Sequence, residues 1–211
     1  NLEKMHVMVE QACKGLAGVS ASQVEIQSGI QFYDGISTAE IQEILIRSAS
    51  DLIDLDHPNY QFVAARLLLF ALRKNLFGRI HEIPTVKNHV IDCVNKGIYD
   101  SEILNSYSDE EFVKLQGFID HDRDYLFTYA GLRQVVDKYL VQDRSSDKLY
   151  ETPQFMYLLI SATIFSKYPK DARLDYVKRY YDAISKHKIN IPTPIMAGVR
   201  TPIRQFASCV L

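Results

Sequence analysis

Cys209 is the residue whose type and setting point most directly to chemistry. The chain has three cysteines, at positions 13, 93 and 209. Cys13 falls on the stripe Leu2, Met5, Val9, Ala12, Leu16, and Cys93 falls with Val86, Val90 and Val94. Both spacings are helical and predict small, buried side chains. The set forms neither an even disulfide framework nor a CxxC pair. Cys209 lies outside any such stripe, so it alone is a candidate for thiol chemistry; the plainer reading is a buried strand cysteine. Ser208 places a hydroxyl beside it. Thr193 opens the same segment, Pro192-Thr193-Pro194-Ile195-Met196-Ala197-Gly198-Val199-Arg200-Thr201-Pro202. Its prolines and glycine break a helical period, so residues 189–211 are expected to be extended and irregular, closing on a strand.

Two other groups could do chemistry. Asp120-His121-Asp122-Arg123-Asp124 offers ligand types suited to Zn, Mn or Fe. An HD-type metal phosphohydrolase would need further ligands on partner helices, and no spacing singles out His81 or His89 for that role. The plainer reading is a solvated, self-paired charge cluster near a helix boundary. Lys4 and Lys74, taken alone, are likewise solvated charges on helices.

The elements that must position these residues are mostly helices. The stripe ending at Leu16 is one. Ser20 or Ser22 can cap a second, running towards Phe32 and broken by Tyr33-Asp34-Gly35. Ser37 with Glu40 is a capping box that opens a third, with Ile41, Ile44, Leu45, Ala49, Leu52 and Ile53 on one face. Thr38 follows this cap directly. Pro58 suits the first turn of a fourth helix, which buries Phe62, Ala65, Leu68, Leu69 and Leu72 and keeps Arg66, Arg73 and Lys74 on or near its polar side. Residues 78–84 read as a boundary. Beyond it come a helix over 85–95, another opened by the Ser108/Glu111 box, a short hairpin over 138–150, an apolar helix over 155–165 and an amphipathic one over 171–186.

Composition excludes several function classes. A hydrophobic content of 47% with 24% charged residues over 211 residues is ordinary for a packed globular chain. The net charge of −2 and pI near 6.3 argue against a general nucleic-acid or membrane-surface binder. No apolar run of spanning length appears. Asn1 opens no signal peptide, so a truncated N-terminus and a cytoplasmic origin are expected.

The tail, together with Gln31-Phe32-Tyr33-Asp34-Gly35-Ile36, Ala64-Ala65-Arg66-Leu67, Ile119 to Asp124, Lys138-Tyr139-Leu140-Val141-Gln142, Tyr150-Glu151 with Gln154-Phe155, and Arg173-Leu174 with Tyr176 to Arg179, resembles the large (alpha) chain of class I ribonucleotide reductase, in its bacterial class Ia form. These blocks occur in order and cover essentially the whole chain. The resemblance implies a mainly α fold in three parts. Residues 1–83 would be an ATP-cone (overall-activity) domain with its β-hairpin cover lying before Asn1. Residues 84–188 would be a helical connector with a short β-hairpin, and 189–211 the start of the α/β catalytic barrel with its first strand.

The resemblance also implies roles for particular residues. Asn1 matches the family's adenine-contacting residue, Lys4 a neighbouring basic residue, Thr38 a ribose-side hydroxyl and Lys74 a phosphate-binding lysine. Gln42 stands where the bacterial pattern often has a ribose-side His; its amide can still bond a ribose hydroxyl. ATP and dATP would be allosteric effectors, with no covalently bound cofactor and no metal in this chain. Thr193 and Ser208 would reach the phosphates of a ribonucleoside diphosphate. Cys209 would be one member of the dithiol that supplies two electrons when the ribose loses its 2′ hydroxyl, with its partner beyond Leu211. The implied activity is ribonucleoside-diphosphate reductase, an oxidoreductase, and the fragment alone would be inactive. Implied partners are a small (beta) subunit carrying the metal–tyrosyl radical, further copies of the full chain as a homodimer or higher oligomer, and thioredoxin or glutaredoxin as reductant. Neither nucleic acid nor membrane is among them. The rival readings are a non-enzymatic helical module for nucleotide sensing or protein docking, and the HD-type hydrolase.

Overall fold

The computed structural model describes residues 2–203, 206 and 207. Asn1, Ser208, Cys209 and the strand expected at the end of the chain lie outside the described residues. The architecture is mainly helical, and its one sheet among the described residues is a two-stranded hairpin. No helix among the described residues is long and apolar enough to cross a membrane. The chain divides into two compact units, residues 1–80 with 125–134, and 81–124 with 135–211.

The first unit is built on α1 (Leu2–Cys13), α2 (Ala21–Gly29), α3 (Thr38–Asp51) and α4 (Tyr60–Phe77). Local chemistry sets their ends. Ser20 caps α2, its Oγ accepting the Gln23 N–H at 3.4 Å. Ser37 and Glu40 form the expected reciprocal box at the start of α3, at 3.2 and 2.9 Å. Gly78 ends α4 with a left-handed φ of 78°, which glycine adopts without a Cβ penalty. α4 is the central helix: Val63, Ala64, Leu67, Leu69 and Phe70 are all buried, against α3 on one side and α1 on another.

Helical spacing places Arg73 on or near the polar side of α4, but Arg73 is 3% exposed. Its guanidinium lies 5.8 Å from the Tyr125 ring, and Arg66 lies 5.4 Å from the same ring. An aromatic face so far along the chain gives arginine a buried partner that helical spacing does not reveal. α2 also stops earlier than expected, at Gly29 rather than near Phe32.

The second unit holds α5 (Val86–Asn95), α6 (Glu102–Ser106), α7 (Asp109–Phe118), a 3-10 turn (His121–Leu126, ending in the first unit), the end of α8 (Tyr129–Lys138), the hairpin β1 (Gln142–Asp143) and β2 (Lys148–Leu149), α9 (Pro153–Ile164), α10 (Arg173–Ser185) and α11 (Thr193–Gly198). In the hairpin Gln142 pairs with Leu149 and Asp143 with Lys148. Thr85 caps α5, and Ser108 with Glu111 boxes the start of α7. Every residue of α9 from Pro153 to Ala162 is buried, as an all-round apolar helix requires. α10 and α11 pack against it.

α11 corrects the expectation of an irregular 189–211. Pro194 stands in its first turn, where a missing N–H costs nothing and the fixed φ suits a helix. The prolines that read as breakers here start a short helix.

Candidate functional site

In the first unit, α3 and α4 are joined by the short segment 52–59 and pack together, so they run antiparallel and the start of α3 meets the end of α4. α1 runs the same way against α4: Asn59 Nδ2 donates to the Ala17 carbonyl at 2.8 Å, and Arg66 Nη1 donates to those of Ala12 and Lys14 at 3.0 and 2.7 Å. The end of α1 therefore sits by the first half of α4, and its beginning lies towards the last turns. Lys4, Thr38 and Lys74 consequently gather at one end of the bundle, and Gln42 follows Thr38 one turn along the same face.

The electrostatics of this end are graded. Lys4, Thr38 and Lys74 are exposed and Gln42 is half-buried. Lys74 occupies the last turn of α4, where the helix dipole favours a cation. At the start of α3, Glu40 accepts from the Ser37 backbone N–H and from the Tyr33 hydroxyl, each at 2.9 Å. The Ser37 hydrogen bonds lead in holding its carboxyl below the usual range. A fixed carboxylate beside Thr38 opposes a phosphate and suits a group that donates, such as a sugar hydroxyl. Phosphate charge is better met at the lysines.

In the second unit, Thr193 is exposed in the first position of α11, its Oγ1 3.4 Å from the Tyr139 hydroxyl. Two residues beyond α11, Arg200 is fully buried against an equally buried Glu151. Arg200 Nε donates to Glu151 Oε1 and Oε2 at 3.1 and 2.8 Å, and Nη2 donates to Oε1. Tyr139, Glu151 and Arg200 were visible in the sequence, but nothing in their spacing joined them. The only signal available was charge next to apolar runs.

The charge cluster at 120–124 is not solvated throughout, contrary to the plain reading of the sequence. Asp124 is 1% exposed and accepts from Gln154 Nε2 at 2.9 Å. Gln154 Oε1 accepts from the Tyr181 hydroxyl at 2.7 Å, and the Tyr181 hydroxyl oxygen accepts the Asp120 N–H at 2.9 Å. Arg123 donates to Asp182 and Ser185, each at 2.7 Å, and to Asp120 at 3.2 Å. These bonds dock the 3-10 turn onto α9 and α10. Among the described residues, no three His, Cys, Asp or Glu side chains gather as metal ligands.

Cys93 is buried and Cys13 half-buried. Burial pushes their thiols up to about 12 and about 11, so neither is a thiolate at neutral pH.

Sequence comparison defines the class of both units. Residues 1–75 match the ATP cone domain, a nucleotide-effector module, and residues 125–204 match the all-alpha domain of ribonucleotide reductase. Along its whole length the chain is 54% identical to ribonucleoside-diphosphate reductase 1 subunit alpha of Salmonella typhimurium and 53% identical to that of Escherichia coli, spanning 28% of each. Over 92% of its length it is 46% identical to the alpha subunit of Enterobacteria phage T4, of which it spans 26%. The chain is thus similar along its whole length to ribonucleoside-diphosphate reductase alpha subunits, and covers little more than a quarter of the length of these relatives.

Proposed function

We propose that this chain forms the effector-binding and connector part of an alpha subunit that reduces ribonucleoside diphosphates to deoxyribonucleotides. The observation that carries this reading is the 54% identity maintained over all 211 residues, the ATP-cone and all-alpha regions included. ATP and dATP are the effectors, held where α1 and α3 begin and α4 ends. Asn1 and Lys4 serve the base side and its surroundings, Thr38 and Gln42 the ribose hydroxyls, and Lys74 the phosphates as a compact, strongly hydrated charge.

The tail serves the substrate. Thr193 and Ser208 offer hydroxyls to the diphosphate. Cys209 gives electrons as one half of a dithiol: two thiols lose two electrons and two protons and become a disulfide, while the ribose C–O bond is cleaved and water leaves. Thioredoxin or glutaredoxin returns the disulfide to the dithiol by exchange. A small subunit carrying a metal–tyrosyl radical supplies the radical chemistry, in the cytoplasm, with full-length alpha chains associating as dimers or larger oligomers.

The test uses the full-length subunit and calorimetric titration with ATP and dATP. Lys74→Ala should weaken both by about tenfold or more, as loss of a charge-assisted contact predicts. Cys209→Ser should abolish thioredoxin-driven turnover and leave effector affinity unchanged. Wild-type affinity in Lys74→Ala would show that the effector site is elsewhere, and full turnover in Cys209→Ser would remove the redox role.

A further inference from the structure

α11 is held in an unusual way. It has six residues, none of them fully buried, and a helix so short does not persist by its own hydrogen bonds. Its packing on α9 is made by half-buried side chains such as Ile195 and Met196. Polar contacts hold it at both ends as well. At the end, Arg200 Nη1 donates to the Met196 carbonyl at 2.5 Å, one of the carbonyls the helix leaves unpaired. At the start, the Tyr139 hydroxyl meets Thr193 Oγ1 at 3.4 Å. The same two residues are tied to each other, since Arg200 Nη2 donates to the Tyr139 carbonyl at 3.1 Å.

Glu151 anchors this frame. Besides Arg200, its Oε1 accepts the Val141 N–H at 2.8 Å and its Oε2 the Tyr99 hydroxyl at 2.6 Å. The Arg200 carbonyl in turn accepts the Asp100 N–H at 3.0 Å. A fully desolvated ion pair is a poor source of stability, because removing both charges from water offsets most of their attraction. Directed bonds at each of the three guanidinium nitrogens make it a good source of geometry instead.

We propose that Tyr139, Glu151 and Arg200 are positioning residues that fix α11 and thereby aim the Thr193 hydroxyl at the phosphates of the nucleoside diphosphate. The proposal rests on the reading of Thr193 as a substrate-binding residue. The Glu151–Arg200 pair sets the distance of α11 from the hairpin and the start of α9. Tyr139 sets the rotation of the Thr193 side chain.

The test is a double-mutant cycle in the full-length alpha subunit assayed with its small subunit. Thr193→Val should raise KM for the diphosphate about tenfold, the loss expected for a hydrogen bond to a charged group. Glu151→Gln should raise KM by about tenfold and leave kcat at saturation within about twofold, and this effect should vanish in the Thr193→Val background. A residue with a merely structural role would act additively with Thr193→Val. A kcat at saturating diphosphate within about twofold of wild type reports an intact fold around the mutated residues. Should Glu151→Gln fail to fold, Tyr139→Phe, which removes one oxygen from a half-buried ring, decides through the same cycle. If Thr193→Val alone leaves KM unchanged, the reading of Thr193 falls. If Thr193→Val raises KM while the other two variants leave it unchanged or act additively, the positioning role alone is overturned.

Discussion

Mild acid should destabilise the second unit before its carboxylates titrate, through His89. This side chain is 4% exposed, stacked on Phe155 with ring centroids 3.9 Å apart and edge-on to Tyr99. Its Nε2 lies 3.1 Å from the Tyr99 oxygen, and Tyr99 gives its hydroxyl proton to Glu151. Nε2 therefore carries the hydrogen and donates it to Tyr99. Burial disfavours the imidazolium and lowers the pKa from 6.5 to about 4, against the pull of Glu151 and Asp92. The folded state thus refuses a proton that the unfolded chain accepts below 6.5. Stability is intact above that value, falls as the pH drops, and stops falling below about 4. At about 1.4 kcal/mol per pH unit, a drop from neutrality to about pH 5 costs about 2 kcal/mol. Urea unfolding at the two pH values, followed by the tyrosine near-ultraviolet signal, measures this in the wild type and in His89→Phe. The phenyl ring keeps the stack on Phe155 and removes the titration. His187, lowered by burial, and His6, raised chiefly by its bond to Glu25, are common to both proteins and cancel in the comparison. Equal loss of stability in wild type and variant would refute the assignment.

Two further outcomes follow from buried groups in the same unit. Arg173 is 3% exposed and donates to Glu111 through Nε at 2.7 Å and Nη2 at 2.5 Å, and to the Ser106 and Ser166 carbonyls. Arg173→Met leaves Glu111 partnerless on that side and should cost about 3–5 kcal/mol in urea unfolding, with Arg173→Met/Glu111→Gln recovering part of it. Alkylation of the folded chain with iodoacetamide should leave Cys93 unmodified and reach Cys13 slowly. Cys93→Ser, which buries a hydroxyl, should cost about 1–3 kcal/mol, and Cys13→Ser less; rapid modification of Cys93 would show that its pocket opens.

What the sequence made legible, and what it concealed, divides by the range of the interaction. Helix starts at Ser37 and Ser108 were readable because a capping box closes within one turn, and its three-residue spacing is written in the chain. The grouping of Lys4, Thr38 and Lys74 needed family resemblance, since lone side chains carry no local signal; the antiparallel run of α1 and α3 against α4 supplies its geometric support. One misreading concerns charge: helical spacing puts Arg73 on or near the polar side of α4, yet Arg73, like Arg173 and Arg200, is buried, at 3%, 3% and 0% exposed, whereas no lysine is buried among the described residues. A guanidinium carries five donors in one plane, holds its charge weakly hydrated, and can be satisfied by two carbonyls, one carboxylate and an aromatic face together. Arg173 and Arg200 each combine two carbonyls with one carboxylate, and Arg173 adds the Tyr107 ring; the carboxylate and one carbonyl of each set come from segments about fifty or more residues away. An ammonium loses far more hydration than such a planar set returns. Lysines therefore stay at the surface, available to a phosphate, and these three arginines become internal fixtures whose partners only the fold reveals.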